Sequence, residues 1–80
     1  MTPQEIQSLI EAGIPDAQVI VESEDGVHFQ AMVVSLAFEG LSMVKRHQWV
    51  YRSLGDRMQS EIHALSIKTL TPAESSRYLA

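Results

Sequence analysis

The sequence predicts an α+β domain in which one three-stranded mixed sheet carries helices on one face. Three observations predict it. Segments with a helical repeat of apolar residues alternate with strand-like segments, in the order helix, strand, strand, helix, strand and a short tail. The Asp25-Gly26 pair separates the first two strand-like runs, which marks a hairpin and so an antiparallel pair. A helical stretch separates the second run from the third, and a crossover of that kind joins parallel strands. Helices layered on one face of such a sheet bury the apolar sets described below.

Eighty residues make one domain. With 45% hydrophobic and 20% charged residues, the composition is that of a soluble globular protein. A domain of this size hides roughly 60–65% of the surface of its unfolded chain, so its stability is modest. The net charge of −4 argues against a chain built mainly to neutralise phosphates, while leaving room for a local basic face. There is no cysteine, which excludes disulfides, a thiol nucleophile and a self-contained thiolate metal site. The start, Met1-Thr2-Pro3-Gln4-Glu5, lacks the basic and apolar regions of a signal peptide. No stretch approaches the roughly 18 apolar residues of a membrane span. A cytoplasmic protein without membrane contact is the expectation.

The elements follow in order. Thr2-Pro3-Gln4-Glu5 is a capping box, with Thr2 as N-cap, Pro3 at the first helical position and Glu5 reaching back. Ile6, Leu9 and Ile10 then recur at helical spacing until Gly13 and Pro15 stop the helix, which spans Pro3 to Ala12. Ala17 to Glu22 is the first strand, rich in β-branched residues at Val19, Ile20 and Val21. After the Glu24-Asp25-Gly26 turn, Val27 to Ser35 is the second strand. Its core face is Val27, Phe29, Ala31 and Val33; His28, Gln30, Met32 and Val34 lie on the other. Phe38-Glu39-Gly40 reads as a loop. Ser42 caps the next helix, whose apolar stripe is Val44, His47, Tyr51, Leu54 and Met58, flanked by Val50. Lys45, Arg46, Trp49, Arg52 and Asp56 take the remaining surface. Gly55 breaks the run and leaves a short helix over Asp56 to Ser60. Ala64 to Leu70 is the third strand, with Leu65, Ile67 and Thr69 alternating with Ser66, Lys68 and Leu70. Thr71-Pro72-Ala73-Glu74 repeats the capping-box pattern and starts a last helical turn or two.

Two stretches carry a family signature. One is Val44-Lys45-Arg46-His47-Gln48-Trp49-Val50-Tyr51-Arg52-Ser53-Leu54-Gly55. The other is Ile62-His63-Ala64-Leu65-Ser66-Ile67-Lys68-Thr69-Leu70-Thr71-Pro72. Together they resemble the BolA family, in particular its IbaG-like bacterial branch, and the likeness runs from about Ile6 to Glu74. The second stretch is the specific part. The resemblance implies a K-homology-like (type II) α-β-β-α-β fold. It also implies a metal role for His63, which matches the cluster-ligating histidine of the family's Ile-His-Ala motif. The chain departs from the branch at Ser75, where the pattern usually has tryptophan.

Each candidate residue has a plain reading beside the functional one. His63 at a strand entrance is either a partly buried histidine bonded to backbone or a metal ligand through one ring nitrogen. His28 is either a solvated side chain beside a turn or a second ligand. If the second and third strands are parallel, His28 and His63 begin neighbouring strands at one end of the sheet. The family often has His or Cys in this loop, and Gly26-Val27-His28-Phe29 resembles the histidine version. His47, on the apolar stripe, reads as a core or capping residue. Trp49 reads either as a partner contact or as packing along the helix.

Three functional classes follow. The first is a binding module that docks on a monothiol glutaredoxin and completes a [2Fe-2S] cluster. Such clusters are normally held by thiolates, with histidine replacing cysteine at some positions. This chain offers imidazoles only. By resemblance, the thiolates come from the glutaredoxin cysteine and its bound glutathione, so the chain alone, a monomer or weak homodimer, should hold no cluster. The second is a nucleic-acid-binding transcriptional regulator, with DNA as the partner, using the basic helix face of Lys45, Arg46, Arg52 and Arg57. Against it, no Gly-x-x-Gly loop joins the helices, and phosphate binding should weaken steeply with salt. The third, an enzyme, fails on inventory: there is no thiol, nucleophile elbow, phosphate-binding glycine loop or zinc pattern.

Overall fold

In the computed structural model, which describes residues 1–58 and 64–79, the chain starts as its capping box predicts. Thr2 Oγ1 accepts from the Glu5 N–H at 3.2 Å, and the Glu5 carboxylate accepts from the Thr2 N–H at 3.0 Å. Helix α1 (Pro3–Gly13) buries Ile6 and Ile10, and Ile14 is buried at its C-cap. Strand β1 (Gln18–Glu22) runs antiparallel to β2 (Phe29–Val34), and β2 runs parallel to β3 (Leu65–Leu70). The sheet order is β1-β2-β3. Val19 opposes Val33, and Phe29 opposes Leu65. The expected alternation holds, with Phe29, Ala31, Val33, Leu65 and Thr69 all buried.

Ser42 Oγ accepts from the Lys45 N–H at 3.3 Å and starts α2 (Met43–Leu54). Helix α1 packs on both α2 and β1, so the two helices cover the inner face of the sheet. The second capping box forms as well. Thr71 Oγ1 accepts from the Glu74 N–H at 3.2 Å, the Glu74 carboxylate accepts from the Thr71 N–H at 2.8 Å, and α3 (Pro72–Leu79) follows. Lys68, on the outer face as expected, sets its Nζ 4.0 Å from the Tyr78 ring centroid of α3. Among the described residues no helix is long and apolar enough to cross a membrane.

Three expectations need correction. The hairpin is not tight: β1 ends at Glu22, β2 starts at Phe29, and Val27 stands 60% exposed ahead of the strand. The Asp25 carboxylate claims the Val27 and His28 N–H groups, which holds them in the turn and delays the strand. Phe38 is not a loop residue in solvent. Leu36–Phe38 forms a 3₁₀ turn, and the Phe38 ring is completely buried.

The buried row of α2 is Arg46, Val50 and Leu54, spaced i, i+4, i+8, while Val44 is 66% exposed. Trp49 is half-buried against the core; its Nε1–H donates to the Gly13 carbonyl at 3.0 Å, and its ring meets Phe38 edge-on with centroids 6.0 Å apart. The helix is therefore turned so that Arg46 and Trp49 face inward. Beyond it, Gly55 adopts φ +59°, a left-handed backbone that suits glycine, and the short helix expected after the break is present as a 3₁₀ turn over Gly55–Met58. The expected extension to Ser60 lies outside the described residues.

Candidate functional site

The hairpin turn is built on one carboxylate. Asp25 Oδ1 accepts from the backbone N–H groups of Val27 at 2.9 Å and His28 at 2.8 Å. The Ser23 hydroxyl accepts from the Gly26 N–H at 2.8 Å and closes the same turn. Asp25 Oδ2 lies 2.8 Å from His28 Nδ1. The His28 ring first, and then the two N–H groups, hold the Asp25 carboxyl well below the usual carboxylate range. An ionised carboxylate only accepts, so in the neutral ring the proton sits on Nδ1 and the lone pair on Nε2 is left free. The His28 side chain is 76% exposed. This carboxylate–imidazole pair is the arrangement that fixes the tautomer and orientation of a metal-ligating histidine. Glu22, Glu24 and Gln30 line the concavity beside it.

His63 lies outside the described residues. Its neighbourhood in sequence is informative: β3 begins two residues after it, at Leu65, which pairs with Phe29, the residue after His28. The parallel pairing expected from the crossover is therefore present, and His28 stands at the end of the sheet where β3 starts. His47 is half-buried on α2. Its Nε2 is shut off from solvent and has no hydrogen-bond partner among the described residues, which agrees with a packing role. Among the described residues no group of three or more His, Cys, Asp or Glu lies together to hold a metal ion. Asp25 is a site residue that the Asp-Gly pattern alone does not reveal, because that pattern accounts for it as half of a turn. Its position three residues before a histidine was the available signal, because Asp side chains in turns bond the backbone just ahead.

The expected basic face loses a member. Lys45, Arg52 and Arg57 are exposed, but Arg46 is only 7% exposed. Its Nε–H donates to the Leu41 carbonyl at 3.0 Å and its Nη1–H to Glu74 Oε1 at 2.7 Å, with Cζ 5.9 Å from the Phe38 ring centroid. A guanidinium that is buried and already paired with a carboxylate is poorly placed to meet a phosphate. Trp49 is likewise committed to Gly13 and Phe38. Lys45, Arg52 and Arg57 remain, the first two on a shallow groove with Leu41 and Gln48.

The Arg46–Glu74 pair gives a pH prediction. The Arg46 guanidinium, helped by the Thr71 N–H, lowers the Glu74 carboxyl from its ordinary 4.5 to about 2. A depressed folded value means that its stabilisation is complete above the unfolded value. It is then lost as pH falls from about 4.5 toward about 2. Chemical denaturation of the wild type and Glu74→Gln should show stabilities that converge as pH drops through that window. A constant gap between them would show that the pair is energetically idle.

The family model for BolA-like protein matches residues 9–74. The chain belongs to the BolA family. It is 44% identical over 78 residues to the acid stress protein IbaG of Escherichia coli, a BolA member, covering 96% of this chain and 92% of that one. The structure of a BolA homologue from Coxiella burnetii superposes with a TM-score of 0.82 at 47% identity, covering 95% of this chain and 97% of that chain. The chloroplastic BOLA1 protein of Arabidopsis thaliana is 45% identical over 53 residues, 66% of this chain. There the BolA match spans 33% of the longer protein, so this chain corresponds to only part of that relative. The BolA membership expected from the two motifs is thus established, together with the α+β fold.

Proposed function

We propose that this BolA protein is a binding module, and not an enzyme, that docks on a monothiol glutaredoxin and supplies histidine ligation to a bridging [2Fe-2S] cluster. The cluster is its cargo, in iron–sulfur trafficking or in iron and stress sensing. The observation that carries the reading is His28: an exposed ring, held through Nδ1 by Asp25, with Nε2 free at the end of the sheet where β3 begins. His63, two residues before that strand, is the second histidine in the proposal.

The chain's own part is limited and specific. Asp25 orients the His28 ring and keeps the Nε2 lone pair directed away from the turn. The chain has no cysteine, so the thiolates come from the partner's active site and its glutathione. Imidazole ligation is also lost on protonation, which makes the assembly sensitive to acid. A relative of this chain bears the name acid stress protein, which suits that sensitivity. The nucleic-acid alternative keeps Lys45, Arg52 and Arg57 on the surface but loses Arg46, which leaves it with less support.

The test is co-expression with a monothiol glutaredoxin, followed by visible absorption and circular dichroism of the purified complex. His63→Ala should change the cluster spectrum and its lability most, and His28→Ala less. Asp25→Asn should reproduce part of the His28→Ala effect, because the ring loses its fixed orientation. His47→Ala should lower thermal stability by ~1 kcal/mol or more while leaving the spectrum alone. Failure to co-purify a coloured complex, or a spectrum that responds to His47→Ala and ignores His63→Ala, would overturn the proposal.

A further inference from the structure

We infer that the free edge of β1 is a self-pairing surface that joins two copies of this chain in an antiparallel two-fold pair centred on Ile20. Strand β1 is an edge strand: only β2 pairs with it, and among the described residues no other group hydrogen-bonds its backbone. A free edge is an open template, and proteins that avoid its use blunt it with short strands, charges (lysine above all), proline, a bulge or a cover; β1 is short and ends on Glu22, but the other devices are missing from it. The two edges of this sheet differ in that respect. Strand β3 carries the exposed Lys68 at mid-strand, covered by the Tyr78 ring of α3. Strand β1, Gln-Val-Ile-Val-Glu, has no lysine or proline, and its pairing with β2 runs unbroken from Gln18 to Glu22 without a bulge.

The strand is also complementary to itself on both faces. Side chains alternate with a period of two, so an antiparallel partner must match inner to inner and outer to outer. Centring the axis on Ile20 satisfies this and pairs all five residues. Ile20, 57% exposed on the outer face, meets Ile20 of the second copy. The half-buried Val21 meets Val19 of the second copy on the inner face, a β-branched cross-strand pair. The Gln18 amide meets the Glu22 carboxylate of the second copy, donor to acceptor, with no like charges opposed along the strand. A shift of one residue puts inner valines opposite outer side chains, and a shift of two leaves strand residues unpaired.

The two sheets then form one continuous sheet. Five residues make a small contact, below the roughly 1,200 Å² of stable interfaces, so association is weak and depends on concentration. The net charge of −4 on each copy opposes it at low ionic strength. The hairpins that bear His28 lie at opposite ends of this pair. Each His28 therefore stays open to its own partner, and the inference holds independently of the glutaredoxin reading.

Sedimentation velocity of the full chain in moderate salt, from about 10 µM to about 1 mM, should show a reversible monomer–dimer equilibrium. Ile20→Lys sets two cations against each other at the axis and should weaken the dimer by about 10-fold or more. Gln18→Lys sets a cation opposite Glu22 of the second copy and should tighten it ~3–10-fold, because two symmetry-related pairs form. Gln18→Glu should do the reverse. Both positions are exposed, and thermal melts of each variant verify that the fold is intact. A chain that stays monomeric throughout, or a dimer indifferent to these charge changes, would overturn the inference.

Discussion

Phe38→Ala should destabilise the protein by about 3–5 kcal/mol, the range for truncating a fully buried phenylalanine. A domain of this length has about 4–12 kcal/mol of total stability, so the variant should be largely unfolded at mild denaturant. The side chain is 0% exposed, and two groups of α2 rest on its ring: Trp49 edge-on at 6.0 Å and the Arg46 guanidinium at 5.9 Å. Removing the ring leaves a cavity under α2 and takes the apolar seat from a buried cation whose remaining partners are Leu41 and Glu74. Phe38→Leu retains most of the volume and should cost only about 1–2 kcal/mol. Urea melts followed by far-UV circular dichroism measure both. A loss below ~1 kcal/mol for the alanine variant would mean that Phe38 does not organise this end of the core.

Gly13→Ala should destabilise by about 1–3 kcal/mol, although alanine is the better helix former. Propensity favours alanine over glycine by roughly 1 kcal/mol inside a helix, and less at its last residue. Packing opposes it. A Cβ on Gly13 would stand 2.5 Å from Ser53 Oγ, 2.7 Å from Ser53 Cβ and 3.1 Å from Ser53 Cα. The hydroxyl can rotate away; the other two atoms move only with α2. Separating the helices would also stretch the Trp49 Nε1–H bond to the Gly13 carbonyl, now 3.0 Å. Overpacking of this kind outweighs the propensity gain. A double-mutant cycle with Ser53→Gly separates the terms, since removing the Ser53 side chain should recover part of the loss. A Gly13→Ala protein as stable as wild type, or more so, would show that the helices part at little cost.

Element type and order were written locally and were legible in the residues. Capping boxes at Thr2 and Thr71 use partners three positions apart, and both form. The period-two pattern of Phe29, Ala31 and Val33 fixed which face of β2 is buried. The parallel pairing of β2 with β3 followed from the length and helicity of the crossover, and the family from the motif around His63. The rotation of α2 was not legible, because Arg46 belongs indoors only when Glu74, 28 residues later, folds back to meet it. Phe38 resembled a loop residue beside Gly40 for the same reason: its burial is set by Trp49 and Arg46 arriving from another element. The chemistry at the hairpin divided in the same way. A histidine in the turn was visible in the sequence. Its place at the end of the sheet followed from the expected parallel pairing of β2 with β3, whereas its fixed tautomer came only from the Asp25 geometry. Charge and aromatic burial are decided by distant partners, while capping and alternation are decided by neighbours within a few residues. That difference in range separates what this sequence determined alone from what needed the folded chain.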